Sequence, residues 1–148
     1  MKKFYLVLIS FFMLTSVIAK EQPGEGSAPP YSKARIVNET LYIAGQIARD
    51  ETGELVSGDI KESTRQCMKN IGTILKDYKM DYKDLVMVQI FLMDLDDYDF
   101  VNEAYRDFFT DEIFPARLCL QVAKIPGGSP IEISAIAETK RKNGLYLP

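Results

Sequence analysis

Few of the side chains that usually carry out active-site chemistry occur in this chain, which has no histidine and only two cysteines. The lack of histidine excludes Ser-His-Asp and Cys-His nucleophile systems and most zinc sites. Cys67 and Cys119 are 52 positions apart, which is not a metal-ligand spacing. A disulfide between them is permitted in an oxidising compartment. We expect two buried free thiols instead, because cysteine behaves as a small core residue.

The charge of the chain argues against a nucleic-acid partner. Its formal charge is −3, and a protein that binds nucleic acid usually carries a basic field. The one basic run, Lys140 to Lys142, lies near the C-terminus and is typical of a solvated end. We therefore expect no nucleic-acid partner.

The first nineteen residues have the pattern of a secretory signal peptide. Lys2 and Lys3 precede an uncharged, mostly apolar run from Phe4 to Ile18, and the small residues Val17 and Ala19 suit cleavage after position 19. The alternative is an uncleaved anchor, but the run is shorter than the roughly 20 residues that a spanning helix needs. The sequence predicts a periplasmic or secreted protein with no membrane contact after cleavage.

The rest of the sequence predicts a single domain with a linker before it and a tail after it. Removing residues 1–19 changes the formal charge from −3 to −5, because two lysines and no acidic residues are lost. Residues 20–30 are rich in Pro, Gly, Ser and Glu and resemble an extended linker. Residues 31–139 form the predicted domain, and residues 140–148 form a C-terminal tail.

Hydrophobic periodicity predicts two helices and five strands within this domain. Asp59 and Glu62 suggest a capping box at the start of the first helix. Cys67, Ile71, Ile74, Leu75 and Tyr78 then follow one helical face. The second helix is expected over residues 98–110, with Val101, Ala104, Tyr105 and Phe108 buried. The strands are expected at Ala34–Val37, Leu41–Ala44, Leu85–Leu95, Leu118–Ala123 and Ile131–Ala137.

The order ββαβαββ predicts an α+β two-layer sandwich, in which two helices cover one face of a single sheet. The strand after residue 85 is apolar on both faces, with Val86, Val88, Ile90 and Leu92 on one side and Met87, Phe91 and Met93 on the other. A lone two-layer domain would leave the second of these faces exposed. A closed homo-oligomer that packs sheet against sheet would cover it.

Several short motifs occur together in an order that resembles the RidA (YjgF-type) family of enamine/imine deaminases. The similarity spans roughly residues 28–139. The matching segments are Pro30-Tyr31-Ser32-Lys33-Ala34, Ala44-Gly45-Gln46-Ile47, Thr52-Gly53-Glu54-Leu55-Val56, Gly58-Asp59-Ile60, Val101-Asn102-Glu103-Ala104-Tyr105, Phe114-Pro115-Ala116-Arg117-Leu118-Cys119 and Ile131-Glu132-Ile133.

This resemblance implies a chorismate-mutase-like subunit that assembles as a homotrimer with clefts between subunits. It also implies hydrolysis of 2-iminobutanoate and 2-iminopropanoate to 2-keto acids and ammonia, without a metal or another cofactor. Relatives of this family are sometimes credited with RNA cleavage, which the negative charge and the export signal disfavour.

Site residues follow from the same motifs. Arg117 matches the family arginine that holds the substrate carboxylate, and Glu132 matches the glutamate that positions water and relays a proton. Without the motifs, Arg117 would be interpreted as a member of a surface ion pair and Glu132 as an outward-facing strand residue. The expected substrate-binding positions are Tyr31, Ala44, Gly45, Asn102, Arg117 and, through its main chain, Cys119.

Three departures from the family pattern bear on activity. Ala44 replaces a serine, Pro29 replaces a glycine, and Gly127 stands where a lysine is usual, so that a basic group is missing from the loop after Pro126. Arg117 and Glu132 are both present, so we expect hydrolysis. The alternative is a trimeric binding or holdase-like module that keeps the cleft without turnover.

Overall fold

The computed structural model describes residues 29–56 and 58–139. The predicted signal peptide, the C-terminal tail and all but the last two residues of the predicted linker lie outside the described residues. Within the described part of the chain, none of the helices is long and apolar enough to cross a membrane.

The described chain forms one five-stranded sheet and two α-helices. The strands are β1 (Ala34–Val37), β2 (Thr40–Ile47), β3 (Leu85–Leu92), β4 (Ala116–Gln121) and β5 (Ile131–Glu138), and the helices are α1 (Ile60–Asp77) and α2 (Tyr98–Arg106). The strand order is β1-β2-β5-β3-β4, with β3 and β4 parallel and the other neighbours antiparallel. The predicted order of elements and the two-layer α+β class are confirmed.

Helix α1 begins where its capping residue predicts. The Asp59 carboxylate accepts a hydrogen bond from the backbone N–H of Glu62 at 3.0 Å. The Glu62 carboxylate accepts from the Arg65 guanidinium at 2.8 Å, so only half of the predicted capping box forms. The predicted apolar face is buried against the sheet up to Leu75, and Tyr78 is the half-buried C-cap.

Helix α2 is shorter than its sequence suggests, and one predicted core residue is wrong. The backbone N–H groups of Phe108 and Phe109 donate to carbonyls three residues earlier, at 3.3 and 3.1 Å. This tighter i→i+3 winding ends the helix at Arg106 and rotates the chain. As a result Phe109, rather than Phe108, is buried in the core, together with Val101, Ala104 and Tyr105.

The strands also differ from prediction: β2 continues to Ile47 rather than Ala44, and β3 ends at Leu92 rather than Leu95. A bulge in the pairing of β3 with β5 lies between Leu85 and Met87, which places Leu85 in the core and leaves Val86 half-buried. Strand β4 begins at Ala116, two residues early, because its parallel pairing with β3 starts there. Arg117 therefore lies inside β4 and not just before the strand.

Gly72 allows α1 to approach Tyr82 closely. The Tyr82 hydroxyl donates to the Met68 carbonyl at 2.9 Å, and a Cβ at Gly72 would lie 2.1 Å from that hydroxyl oxygen. We expect Gly72→Ala to destabilise the protein by about 1 kcal/mol, because overpacking and a lost hydrogen bond outweigh the helix propensity of alanine. Urea unfolding at fixed protein concentration measures this change. Thr73→Ala, exposed on the same helix, is the control, and equal stability of the two variants would contradict the prediction.

Candidate active site

Arg117 is held by one face of α2. Its Nη2 donates hydrogen bonds to the Asn102 side-chain oxygen at 2.6 Å and to the Tyr98 hydroxyl at 3.1 Å. Its Cζ lies 5.5 Å from the ring centre of Tyr98 and 5.1 Å from that of Tyr105, within cation–π range. Because Tyr98, Asn102 and Tyr105 are spaced by four and three residues, they project from the same side of the helix. Four contacts thus fix the orientation of this guanidinium.

A cleft of about 300 Å³ opens beside the guanidinium. Among the described residues, no carboxylate lies within 4.0 Å of Arg117, so the surface ion pair considered from sequence does not form in that part of the chain. The positive charge therefore faces the cleft and can attract an anion. The cleft is lined by Asn102, Tyr105, Arg106, Phe114, Pro115 and Arg117.

The hydroxyl of Tyr105 is a buried polar group beside this cleft. It has no hydrogen-bond partner among the described residues, although the side chain is 4% exposed. Burial raises the pKa of this phenol, and the nearby Arg117 charge offsets part of that effect. The hydroxyl is therefore protonated at neutral pH and can donate to a bound molecule.

Glu132 and Gly45 form a second group, on adjacent strands. A Cβ at Gly45 would lie 1.8 Å from Oε1 of Glu132, so the carboxylate occupies the space that any other residue at position 45 would fill. The pairing of β2 with β5 shifts between Ile43 and Gln46, which places Ala44 and Gly45 in a bulge. The sequence predicted Ala44 and Gly45 for substrate binding, and the geometry shows that glycine at position 45 leaves room for the Glu132 carboxylate.

Arg117 and Glu132 lie on opposite faces of the sheet within one chain. Glu132 falls between two residues that are fully buried on the helix side, Ile131 and Ile133, so its side chain points away from the helices. Arg117 pairs with Val88, which is buried on the helix side, and contacts α2. A single chain therefore does not bring the two predicted catalytic residues together.

The other predicted site residues divide between these two groups. Cys119 is two residues after Arg117 on β4, whereas Tyr31 precedes the segment in which the Lys33 carbonyl accepts from the Ala44 N–H at 3.0 Å. Tyr31 is 66% exposed. Ala44, Gly45 and Glu132 thus belong to one group, and Asn102, Arg117 and Cys119 to the other, whereas Tyr31 is located only by its closeness in the chain to the Lys33–Ala44 hydrogen bond. Their roles in binding and catalysis remain predictions.

Both cysteines are free thiols in the structure, Cys67 buried and Cys119 half-buried. Burial is the main cause that raises the pKa of the Cys119 thiol, while the Arg117 charge opposes it. Burial and then the negative charge of Glu132 raise the pKa of Cys67. Both sulfurs are therefore protonated at neutral pH, which fits a main-chain role for Cys119 better than a thiolate nucleophile.

Comparison with known proteins decides the family. A family model described as "Endoribonuclease L-PSP", which represents the RidA/YjgF proteins, matches residues 24–139. The human protein "2-iminobutanoate/2-iminopropanoate deaminase" is 45% identical over 113 residues, covering 76% of this chain and 82% of the human one. This chain belongs to the RidA family.

Solved RidA-family structures have the same fold. The RidA structure from the Antarctic bacterium Psychrobacter sp. PAMC 21119 has a TM-score of 0.71 and 34% identity, covering 77% of this chain and 92% of that one. The structure of E. coli TdcF with bound serine has a TM-score of 0.72 and 30% identity, covering 78% and 92% of the two chains. The five-stranded sheet with two helices is therefore the RidA-family subunit.

The side chain of Arg49 lies beside Gly127, one of the departures from the RidA pattern. Gly127 stands where the family has a lysine, but Nη2 of Arg49 lies 3.0 Å from the place of a Cβ at position 127. The Arg49 guanidinium also donates to the Gly53 carbonyl. A basic group is thus present beside the loop although the loop itself lacks one. Sequence comparison by position could not reveal this, because the two residues are 78 positions apart.

Four of the six residues that line the cleft were not predicted as site residues, namely Tyr105, Arg106, Phe114 and Pro115. The contact of Tyr98 with Arg117 was also not predicted, because it depends on the packing of α2 beside β4. The spacing of Tyr98 four residues before Asn102 was the available signal, since the two side chains share a helix face.

The Gly45→Ala variant of this RidA-family protein should keep its fold and lose most of its activity. The new Cβ would collide with the flexible end of Glu132, which can swing away, so we expect thermal stability to change little. Activity should fall at least about tenfold, because the displaced carboxylate no longer points at its site. Thermal melts and imine-decay rates of the two proteins measure this. Full activity in the variant would contradict the proposed placement of Glu132.

Proposed function

We propose that this protein hydrolyses reactive 2-imino acids, such as 2-iminobutanoate and 2-iminopropanoate, to 2-keto acids and ammonia. The observation that carries the proposal is the Arg117 guanidinium, oriented by Asn102 and Tyr98 and facing a cleft with no carboxylate partner among the described residues. The name of the human relative, which is 45% identical, supports the same reaction.

Arg117 binds the substrate carboxylate in this proposal. Both described hydrogen bonds of the guanidinium are donated by Nη2, the longer one to the Tyr98 hydroxyl at 3.1 Å. A guanidinium binds the two oxygens of a carboxylate through parallel N–H donors on Nη1 and Nη2, so in this proposal the carboxylate replaces Tyr98 as a partner of Nη2 and is held in one orientation. The adjacent imine carbon is then fixed in position, which lowers the entropic cost of the attack.

Glu132 positions the attacking water and carries its proton. Water adds to the imine carbon and forms a C–O bond, while the imine nitrogen gains a proton. Glu132 accepts the proton from water and returns one to the nitrogen. In the resulting carbinolamine, Glu132 accepts the hydroxyl proton and returns a proton to the amine, so that the C–N bond breaks, ammonia leaves, and the carbonyl of the 2-keto acid forms. No oxidation or reduction occurs in these steps.

The active site is proposed to lie between the subunits of a homotrimer. Because Arg117 and Glu132 lie on opposite faces of one sheet, a site with both needs two chains. The open face also carries exposed apolar side chains, including Tyr42 and Leu120, at 50% and 47% exposure. Packing these faces together in a closed ring would cover them and complete three equivalent sites.

The mature protein is proposed to act outside the cytoplasm, in the periplasm or after secretion. Support for this comes from residues 1–19 alone, which have a basic start, an apolar run and small residues before Lys20. In that compartment, amino-acid oxidases or dehydrogenases would supply the imines. Mass spectrometry of the native protein should find an N-terminus at Lys20. Full-length chain recovered from the cytosol would reject export.

A binding module without turnover is the second candidate, because Ala44 lacks the hydroxyl of the family serine. The Arg49 guanidinium beside Gly127 weakens the other reason for this candidate. RNA cleavage remains disfavoured by a formal charge of −3 for the full chain.

An imine-trapping assay tests the proposed reaction. An amino-acid oxidase generates 2-iminobutanoate in the presence of semicarbazide, and purified residues 20–148 are added. We expect the protein to suppress formation of the semicarbazone in proportion to its concentration. No suppression, together with binding of 2-oxobutanoate to the protein, would favour the binding module instead.

A further inference from the structure

A second guanidinium lines the cleft of Arg117. Arg106 is the last residue of α2, and its Cζ lies 5.3 Å from the ring centre of Phe114. Phe114 and Arg106 both line the same cleft as Arg117. In the described part of the chain, neither arginine lies within 4.0 Å of a carboxylate. The cleft therefore has two positive charges, whereas one suffices for a monocarboxylate.

The position of Arg106 in the last turn of α2 does not by itself explain why its side chain lines the cleft. A basic residue in the last turn of a helix interacts favourably with the helix dipole, and any side-chain direction would serve that purpose. The guanidinium in addition lies over the Phe114 ring, within cation–π range, at the wall of the cleft. The helix dipole does not require that contact.

The buried hydroxyl of Tyr105 indicates independently that a polar ligand enters the cleft. Tyr105 lines the cleft and is 4% exposed, and its buried hydroxyl has no partner among the described residues. A buried hydroxyl without a partner is destabilising, and a bound molecule with a hydrogen-bond acceptor would supply that partner. A ligand rich in carboxylate oxygens supplies such acceptors.

We propose that the preferred substrates are 2-imino dicarboxylic acids, with Arg117 on the carboxylate beside the imine and Arg106 on the distal carboxylate. This inference rests on the proposed imine hydrolysis and narrows its substrate class. A cleft of about 300 Å³ is within the size range of small-molecule sites, so it has room for a four- or five-carbon diacid. Phe114 and Pro115 provide apolar surface for the methylene groups between the two carboxylates.

Arg106 is thus assigned as a specificity-determining residue. A charge-assisted hydrogen bond contributes about 1.5–3 kcal/mol, which corresponds to roughly a tenfold to hundredfold preference. A monocarboxylic imine gains nothing from Arg106, so the preference depends on the distal charge. The ratio of kcat/KM for the two substrate classes is the quantity that reports it.

The test compares imines generated from glutamate and aspartate with 2-iminobutanoate, in the semicarbazide assay, for wild type and three variants. Arg106→Gln removes the charge, Arg106→Lys keeps it without the planar fork, and Arg35→Gln is the matched control on exposed strand β1, at the opposite edge of the sheet. We expect wild type and Arg35→Gln to prefer a dicarboxylic imine at least tenfold. Arg106→Gln should lose that preference, and Arg106→Lys should keep part of it.

Binding of the stable products gives a second readout that needs no turnover. In calorimetry, 2-oxoglutarate or oxaloacetate should bind wild type at least tenfold more tightly than 2-oxobutanoate, and Arg106→Gln should remove the difference. If 2-iminobutanoate is hydrolysed and no preference appears in either assay, the dicarboxylate assignment is wrong and imine hydrolysis stands. If no imine is hydrolysed, the proposed function itself is wrong.

Discussion

Replacing Arg117 with alanine is expected to lower kcat/KM for 2-iminobutanoate by about 10³-fold, since two charge-assisted hydrogen bonds to the substrate carboxylate are lost. The side chain faces the cleft and α2 of its own subunit, so the assembly should persist. Steady-state imine decay measures the rate, and size-exclusion chromatography with light scattering measures the oligomer.

Two further variants test whether the loss of activity in Arg117→Ala comes from lost binding of the substrate carboxylate. Arg117→Lys keeps the charge but cannot bind a carboxylate in the bidentate manner, so we expect an intermediate rate. Arg35→Ala removes an exposed arginine from β1 and should match wild type. If Arg117→Ala instead falls apart into monomers, the arginine is a structural residue and its assignment to substrate binding is wrong.

Replacing Glu132 with glutamine should abolish most turnover and leave binding intact. The two side chains have nearly the same shape, but glutamine cannot accept the proton of the attacking water, and loss of a general base costs about 10²–10⁴-fold in rate. The affinity for 2-oxobutanoate should stay within about twofold of wild type, because Arg117 still binds the carboxylate. Single-turnover kinetics and calorimetry separate the two quantities.

The matched control for Glu132 is Glu138→Gln on the same strand. Residues 132 and 138 are six apart on β5, so both side chains point to the open face of the sheet. Glu138 lies opposite Thr40, at the far end of the pairing with β2. We expect full activity in this variant. Wild-type turnover in Glu132→Gln would show that another group positions the water.

The fold could be predicted to the extent that local periodicity determines it. The spacing of Cys67, Ile71 and Leu75 predicts the buried face of α1, and each of these residues is fully buried. The end of α2 was not predictable in the same way, because Phe108 and Phe109 are equally apolar. Only the tight turn in the structure decides that Phe109 enters the core.

The candidate site was likewise predictable only where local sequence motifs identify its residues. Arg117, Asn102 and Glu132 were found through motif positions, and the structure gives Asn102 and Arg117 a direct contact at 2.6 Å. The separation of Arg117 from Glu132 was not foreseen, because the face of Arg117 depends on the parallel pairing of β4 with β3. Arg106 carries no motif signal and is recognised by its place in the lining of the cleft and its contact with the Phe114 ring.

Mixed oligomers of two inactive variants provide the most direct measurement. Arg117→Ala and Glu132→Gln subunits, unfolded together in equal amounts and refolded, should recover activity if Arg117 of one subunit works with Glu132 of the next. Random trimers of this kind would contain one intact site in three of every four assemblies, which gives about a quarter of wild-type activity. Each variant refolded alone should stay inactive. A mixture as inactive as its components would show that the two residues do not act together across an interface.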